Sequence, residues 1–113
     1  MTKCVGKVWG SETWIVNSQL YCGKIMRLNE GMQCSLHHHK IKDETFYILK
    51  GRVLFEHGDR KFVMTAGDVV HVAPGVEHRF AGLADSVMIE VSTPHSDDDV
   101  YRAQASRAME QTQ

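Results

Sequence analysis

The chain has 113 residues, 42% of them hydrophobic and 24% charged, which is the size and balance of one globular domain. Thirteen Lys and Arg against fourteen Asp and Glu leave a net charge of −1, which argues against a binder of nucleic-acid backbones or anionic membranes. No apolar run approaches the ~20 residues of a membrane span, and Met1 to Gly10 lack the apolar core of a secretion signal. Three cysteines, Cys4, Cys22 and Cys34, form no C-x-x-C pair and fit a reducing, cytoplasmic setting rather than a disulfide framework.

Short apolar and β-branched runs follow one another along the chain. Thr13 to Val16, Leu20 to Leu28, Met32 to His39, Glu44 to Leu49, Val53 to His57, Lys61 to Met64, Val69 to Val72, His78 to Ala81 and Val87 to Ser92 all read as strands. Turn residues separate them, among them Asn29-Glu30-Gly31, Lys50-Gly51, His57-Gly58-Asp59, Ala66-Gly67-Asp68 and Pro74-Gly75. So many strands, with no helical period between them, predict an all-β antiparallel sandwich or barrel over residues 1–96 that includes an N-terminal strand. After it, Ser96-Asp97-Asp98-Asp99 offers an N-cap and an acidic first turn. A short helix is expected over Asp97 to Met109, with residues 97–113 forming the tail of the same domain.

Seven histidines stand out, three of them consecutive. Alternation along a strand points His37 and His39 one way, with Ser35 on their face, and His38 the other. If residues 33–39 and 44–49 pair as a hairpin, Glu44 lies across from the histidine face, and His78 is a fourth candidate. Three imidazoles and a carboxylate inside a barrel make a site for a divalent metal such as Zn, Mn, Fe or Ni. His57 is expected in an exposed turn, and His95 has no evident partner. Cys22 and Cys34 read as small buried apolar residues.

The spacing adds to this. Gly31, five residues, His37, one residue, His39, four residues, Glu44, six residues and Gly51 make a first block. Gly67, six residues, Pro74, Gly75 and His78 make a second. Over roughly residues 20 to 92 this resembles the two-part signature of the cupin superfamily, small jelly-roll β-barrels. Gly75 directly follows the proline, and Gly82 stands where an asparagine is usual. The resemblance implies that His37, His39, Glu44 and His78 bind the metal.

Lys7-Val8-Trp9-Gly10, Ser35-Leu36-His37, Gly75-Val76-Glu77-His78-Arg79 and Glu90-Val91-Ser92-Thr93 are similar to the cupin domain of type II mannose-6-phosphate isomerases. This likeness implies an aldose–ketose isomerase of a sugar or sugar phosphate. The metal would act as a Lewis acid, and a base would move a proton between neighbouring carbons. His71 is the candidate base, while Arg79 and Lys42 are candidates to meet a phosphate or sugar hydroxyl at the mouth. The same ligand set also resembles small Fe(II) cupin dioxygenases, and a non-catalytic sugar-binding module is the third reading. The expected partner is a small molecule, a carbohydrate, with no nucleic acid or membrane. A homodimer is expected through an N-terminal strand such as Thr13 to Val16, with Trp9, Trp14 and Tyr21 either anchoring the interface or closing one end of the barrel.

Overall fold

Two antiparallel sheets enclose one interior in the computed structural model, which describes residues 2–110. In chain order the strands are β1 (Lys3–Lys7), β2 (Gly10–Asn17), β3 (Cys22–Leu28), β4 (Met32–Gln33), β5 (Leu36–His38), β6 (Glu44–Lys50), β7 (Arg52–His57), β8 (Arg60–Thr65), β9 (Val69–Val72), β10 (His78–Gly82), β11 (Ser86–Ser92), β12 (Tyr101–Gln104) and β13 (Arg107–Ala108). The first sheet runs β1-β2-β3-β11-β6-β9. In the second, β10 pairs with β7 along one edge and with β4 and β5 along the other; β8 extends beyond β7, and β12 and β13 flank β5 and β4. The hydrogen bonding does not run continuously around the molecule, so the expected closed barrel is instead two facing sheets.

Strand alternation explains the interior. On β3, Cys22, Lys24, Met26 and Leu28 are buried; on β6, Glu44, Phe46 and Ile48; on β11, Ser86, Met88 and Glu90. From the opposite sheet come Val53, Phe55 and Phe80. Phe46 meets Phe55 and Phe80 with ring centroids 5.6 and 6.1 Å apart. The register sets Met88 beside Met26 and Ile48, and Glu90 beside Lys24. One end of the interior is therefore apolar and the other carries charge. Burial at the apolar end supplies the driving force, at roughly 25 cal/mol per Å² removed from water.

Turn chemistry joins the sheets. Gly51 passes the chain from β6 to β7 at φ +99°, and a Cβ there would lie 2.2 Å from Ser86 Oγ and 2.7 Å from the Asp85 carbonyl oxygen. Only glycine meets both demands.

Three expectations need correction. The strand expected over Met32 to His39 is broken at Cys34 and Ser35, where the chain turns between β4 and β5. β5 and β6 do not form a hairpin: β5 pairs with β10 and β12, and β6 with β9 and β11. The helix expected over Asp97 to Met109 is a single 3-10 turn at Asp97–Asp99 followed by β12 and β13. Ser96 does cap that turn, accepting from the Asp98 N–H at 3.3 Å. The turn stops because Asp99 is drawn inward, where its carboxylate accepts from the N–H groups of Lys40, Ile41 and Lys42 at 2.9 to 3.2 Å. Open edges of β4 and β5 then recruit the following residues as strands, and ladder bonds override a weak helical preference.

Asp99→Ala would leave three loop N–H groups unpaired, so it should cost about 2–4 kcal/mol, roughly 10 °C in Tm by thermal melting. Asp98→Ala, which removes no such acceptor, should shift stability by no more than about 0.5 kcal/mol. Equal melting of the two variants would contradict the assignment.

Candidate metal centre

His37 lies on β5, His39 directly after it, and His78 opens β10 in register with His37. Residues opposite one another on neighbouring strands share a face, and the His37 and His78 rings sit 4.3 Å apart. One nitrogen from each of His37, His39 and His78 lies within 4.8 Å of the others. The second nitrogen of every ring is committed to a backbone carbonyl. Nδ1 of His37 is 2.7 Å from the Ser35 oxygen, that of His39 2.9 Å from the Asp99 oxygen, and that of His78 3.0 Å from the Val76 oxygen. A carbonyl only accepts, so each Nδ1 carries the proton and each Nε2 presents a lone pair. That is the tautomer a metal-binding imidazole requires.

Glu44 reaches the same point from the opposite sheet. Its Oε2 is 3.0 Å from Nε2 of His78 and 3.5 Å from Nε2 of His39. Oε2 and the His78 Nε2 are buried, and neither has a hydrogen-bond partner of acceptable geometry. Two lone-pair atoms facing each other in a buried site fit a divalent cation placed between them. Nitrogen-rich donors with one carboxylate suit a borderline metal of the Mn, Fe, Ni or Zn kind.

The protonation states agree. Burial, reinforced by the neighbouring His78, pushes the His37 imidazole down to about 3. Burial also lowers His39, although Glu44 and the Asp99 carbonyl work against the shift. At Glu44 burial opposes the charge, but the groups around it, the Lys42 ammonium among them, outweigh it and hold the carboxyl well below the usual carboxylate range. Neutral imidazoles and an ionised carboxylate are the forms that ligate.

A cavity of about 90 Å³ opens beside this cluster, walled by Trp9, Glu12, Lys24, Lys42, Glu90 and His95 among others. Lys42 is buried, with Nζ 2.7 Å from Glu90 Oε2, 3.5 Å from Glu44 Oε1 and 3.0 Å from Nδ1 of His95. Nε2 of His95 in turn sits 2.9 Å from the Asp97 carboxylate. Lys24 Nζ lies 3.5 Å from Glu12 Oε1 and 4.3 Å over the Trp14 ring, while Trp14 Nε1 donates to the same Glu12 oxygen at 2.8 Å.

The other expected site residues are dispersed. His71 projects from the outer face of β9, largely exposed, and pairs with Asp43 there, so it does not reach the cavity as a base. Arg79 is buried away from the mouth, donating to the Cys34 carbonyl and to Gln104, each at 3.0 Å, because its position next to inward-facing His78 turns it to the other face of β10. Lys42 does face the cavity, from within rather than from the mouth. His38 stacks on Tyr101, away from the cluster. Trp9 packs edge-on against Phe80 and lines the cavity, the Trp14 ring lies against the Lys24 ammonium, and Tyr21 is exposed. Thr13 to Val16 has strands on both sides, and β1 is the outer edge.

The sequence profile of the cupin domain matches residues 24–93. The chain belongs to the cupin family. Similar to it is an uncharacterized protein of Methanocaldococcus jannaschii, 31% identical over 55 residues, which are 49% of this chain and 44% of that one, so the match spans less than half of the relative. Among solved structures, KdgF from Halomonas sp. superposes with a TM-score of 0.73 at 20% identity, covering 78% of this chain and 81% of its own. An RmlC-like cupin from Shewanella frigidimarina gives 0.79 at 18%, covering 87% and 88%. The oxalate decarboxylase of Bacillus subtilis gives 0.79 at 22%, covering 90% of this cupin and 30% of the larger chain. At these identities the likeness is one of fold.

Glu12, Lys24, Glu90 and His95 are cavity residues that the histidine pattern does not point to. For two of them a signal exists: Lys24 and Glu90 occupy inward positions of strands otherwise buried at that parity by Cys22, Met26, Leu28 and Met88. A charge at an inward position marks a polar cavity. His95 lies in an irregular segment and carries no such signal.

The depressed imidazoles set a pH dependence. Above about pH 6.5 they are neutral in both folded and unfolded chains. Below it the unfolded chain binds protons that the folded one refuses, so stability falls as pH drops from about 6.5 toward 3, by about 1.4 kcal/mol per unit from His37 alone. Chelator-treated protein should melt at least ~4 °C lower at pH 5.5 than at pH 7.5, and His37→Ala should shrink that difference. A pH-independent Tm over this range would contradict it.

Proposed function

We propose that this cupin is a cytoplasmic metal-dependent enzyme that interconverts an aldose and a ketose, as sugar or sugar phosphate, with His37, His39, Glu44 and His78 as the metal ligands. The observation that carries the reading is a paired carboxylate and ammonium, Glu90 and Lys42, 2.7 Å apart on the cavity wall beside the three imidazoles. When bound, the metal supplies Lewis acidity toward a carbonyl and its neighbouring hydroxyl.

The chain's own groups supply the rest. Isomerisation requires a group that takes a proton from one carbon and returns it to the next. Glu90 Oε2 is engaged by Lys42 and by the Ser92 hydroxyl at 2.9 Å, which leaves Oε1 to carry the proton. Lys42 stabilises the carboxylate and offers N–H donors to a hydroxyl oxygen. Glu12 and Lys24 give a second acceptor and donor across the cavity. Trp9 and Phe46 exclude water from one side. With the metal ligands and Glu90 on the cavity wall, a sugar would enter by its carbonyl end, the end that reacts.

Metal-loaded protein incubated with a panel of aldoses and their phosphates should yield the matching ketoses, followed by proton NMR. Glu90→Gln should lower kcat by about 100-fold or more while metal content stays unchanged. Recovery of every sugar unchanged would overturn the isomerase reading. Substrate-dependent oxygen uptake by iron-loaded protein would replace it with a dioxygenase, and tight binding without turnover with a sugar-binding module.

A further inference from the structure

We infer that Arg102 is the anion-recognising residue of the cavity mouth, and that the ligand carries a carboxylate or phosphate group a short distance from the end that enters. The inference deepens the proposed function by naming what the non-reacting end of the ligand must be.

Position comes first. Arg102 lies on β12 opposite His37 on β5, whereas the neighbouring Tyr101 lies opposite His38. Cross-strand partners share a face. Tyr101 stacks on His38, rings 5.1 Å apart and 16° from parallel, so that pair defines the outward face. Arg102 therefore shares the inward face with His37, and it lines the cavity.

Pairing comes second. The other cations of the cavity wall have anionic neighbours: Lys42 has Glu90 and Glu44, Lys24 has Glu12, and Lys7 stands 3.9 Å from Glu12. Asp97, also at the mouth, is engaged by His95. Among the described residues, Arg102 has neither an ion-pair partner nor a side-chain hydrogen bond. A guanidinium offers five N–H donors in a planar fork that matches two oxygens of a carboxylate or phosphate. Arg102 is exposed, so ligand can reach it without a conformational change.

Support comes third. The strand that carries Arg102 is not a loose tail. Asp99, three residues before it, is fixed by three backbone N–H groups and by His39. The backbone from which the guanidinium reaches out is thus held beside the imidazoles. A ligand that reaches the imidazoles from the mouth passes this residue.

Calorimetric titration of the metal-loaded wild type and of Arg102→Gln with glucose, glucuronate and glucose 6-phosphate tests this. The wild type should bind glucuronate or glucose 6-phosphate about 10-fold or more tightly than glucose, and the better of the two anions tells carboxylate from phosphate. Arg102→Gln should bind all three within about 2-fold of one another, with metal content and Tm unchanged, and Arg102→Lys should fall between. A wild type with no preference for either anion, non-binding included, overturns the inference, as does a preference that survives Arg102→Gln. The isomerase reading fails separately: bound sugars then come back unchanged while the anion preference persists.

Discussion

The carboxylate of Asp99 gathers the N–H groups of Lys40, Ile41 and Lys42, while its own carbonyl accepts from Nδ1 of His39. These bonds couple parts of the chain far apart in sequence. They orient one imidazole, shape the loop that delivers Lys42 and Glu44, and anchor the strand that brings Arg102 over the cavity. Burial works against the charge on Asp99, but the three backbone donors outweigh it and hold the carboxyl below its usual range. The site is thereby assembled from two sheets and a C-terminal strap, with no hairpin between the histidines and Glu44.

The interior is divided along its length. Leu28, Ile48, Val53 and Met88 fill one end, and at the other Glu12, Lys24, Lys42, Glu44 and Glu90 are buried beside three imidazoles. Isolated ions there would be unstable. Paired, they persist, and loss of one partner costs about 3–5 kcal/mol. The same pairing gives the cavity its chemistry, because each pair sets an acceptor and a donor side by side. The apolar end folds the protein, and the polar end is what that folding makes room for.

Much of the centre is legible in the sequence once its spacing is seen to resemble the cupin signature. His37 and His39 at alternate strand positions, Glu44 opening a strand, and His78 after Pro74-Gly75 converge as that resemblance implies. What pattern could not supply is which strands pair across the molecule. Glu44 meets the histidines from the facing sheet, a long-range relation that no local period encodes. His71 and Arg79 fall to a different, local rule: strand parity sends one outward and the other behind His78. The C-terminal strap was lost to a competing local signal, since Ser96 and the acidic triplet do begin a turn, and tertiary pairing at β5 then ends it. Lys24 and Glu90 were within reach, as charges at inward positions of otherwise apolar strands.

X-ray absorption spectroscopy of the metal-loaded protein tests the central arrangement most directly. The account predicts one metal per chain with three imidazole nitrogens and at least one carboxylate oxygen at about 2.0–2.2 Å, and loss of the imidazole multiple-scattering pattern when His37 and His39 are replaced by Ala. A spectrum without imidazole scattering, or one unchanged by those replacements, would contradict it.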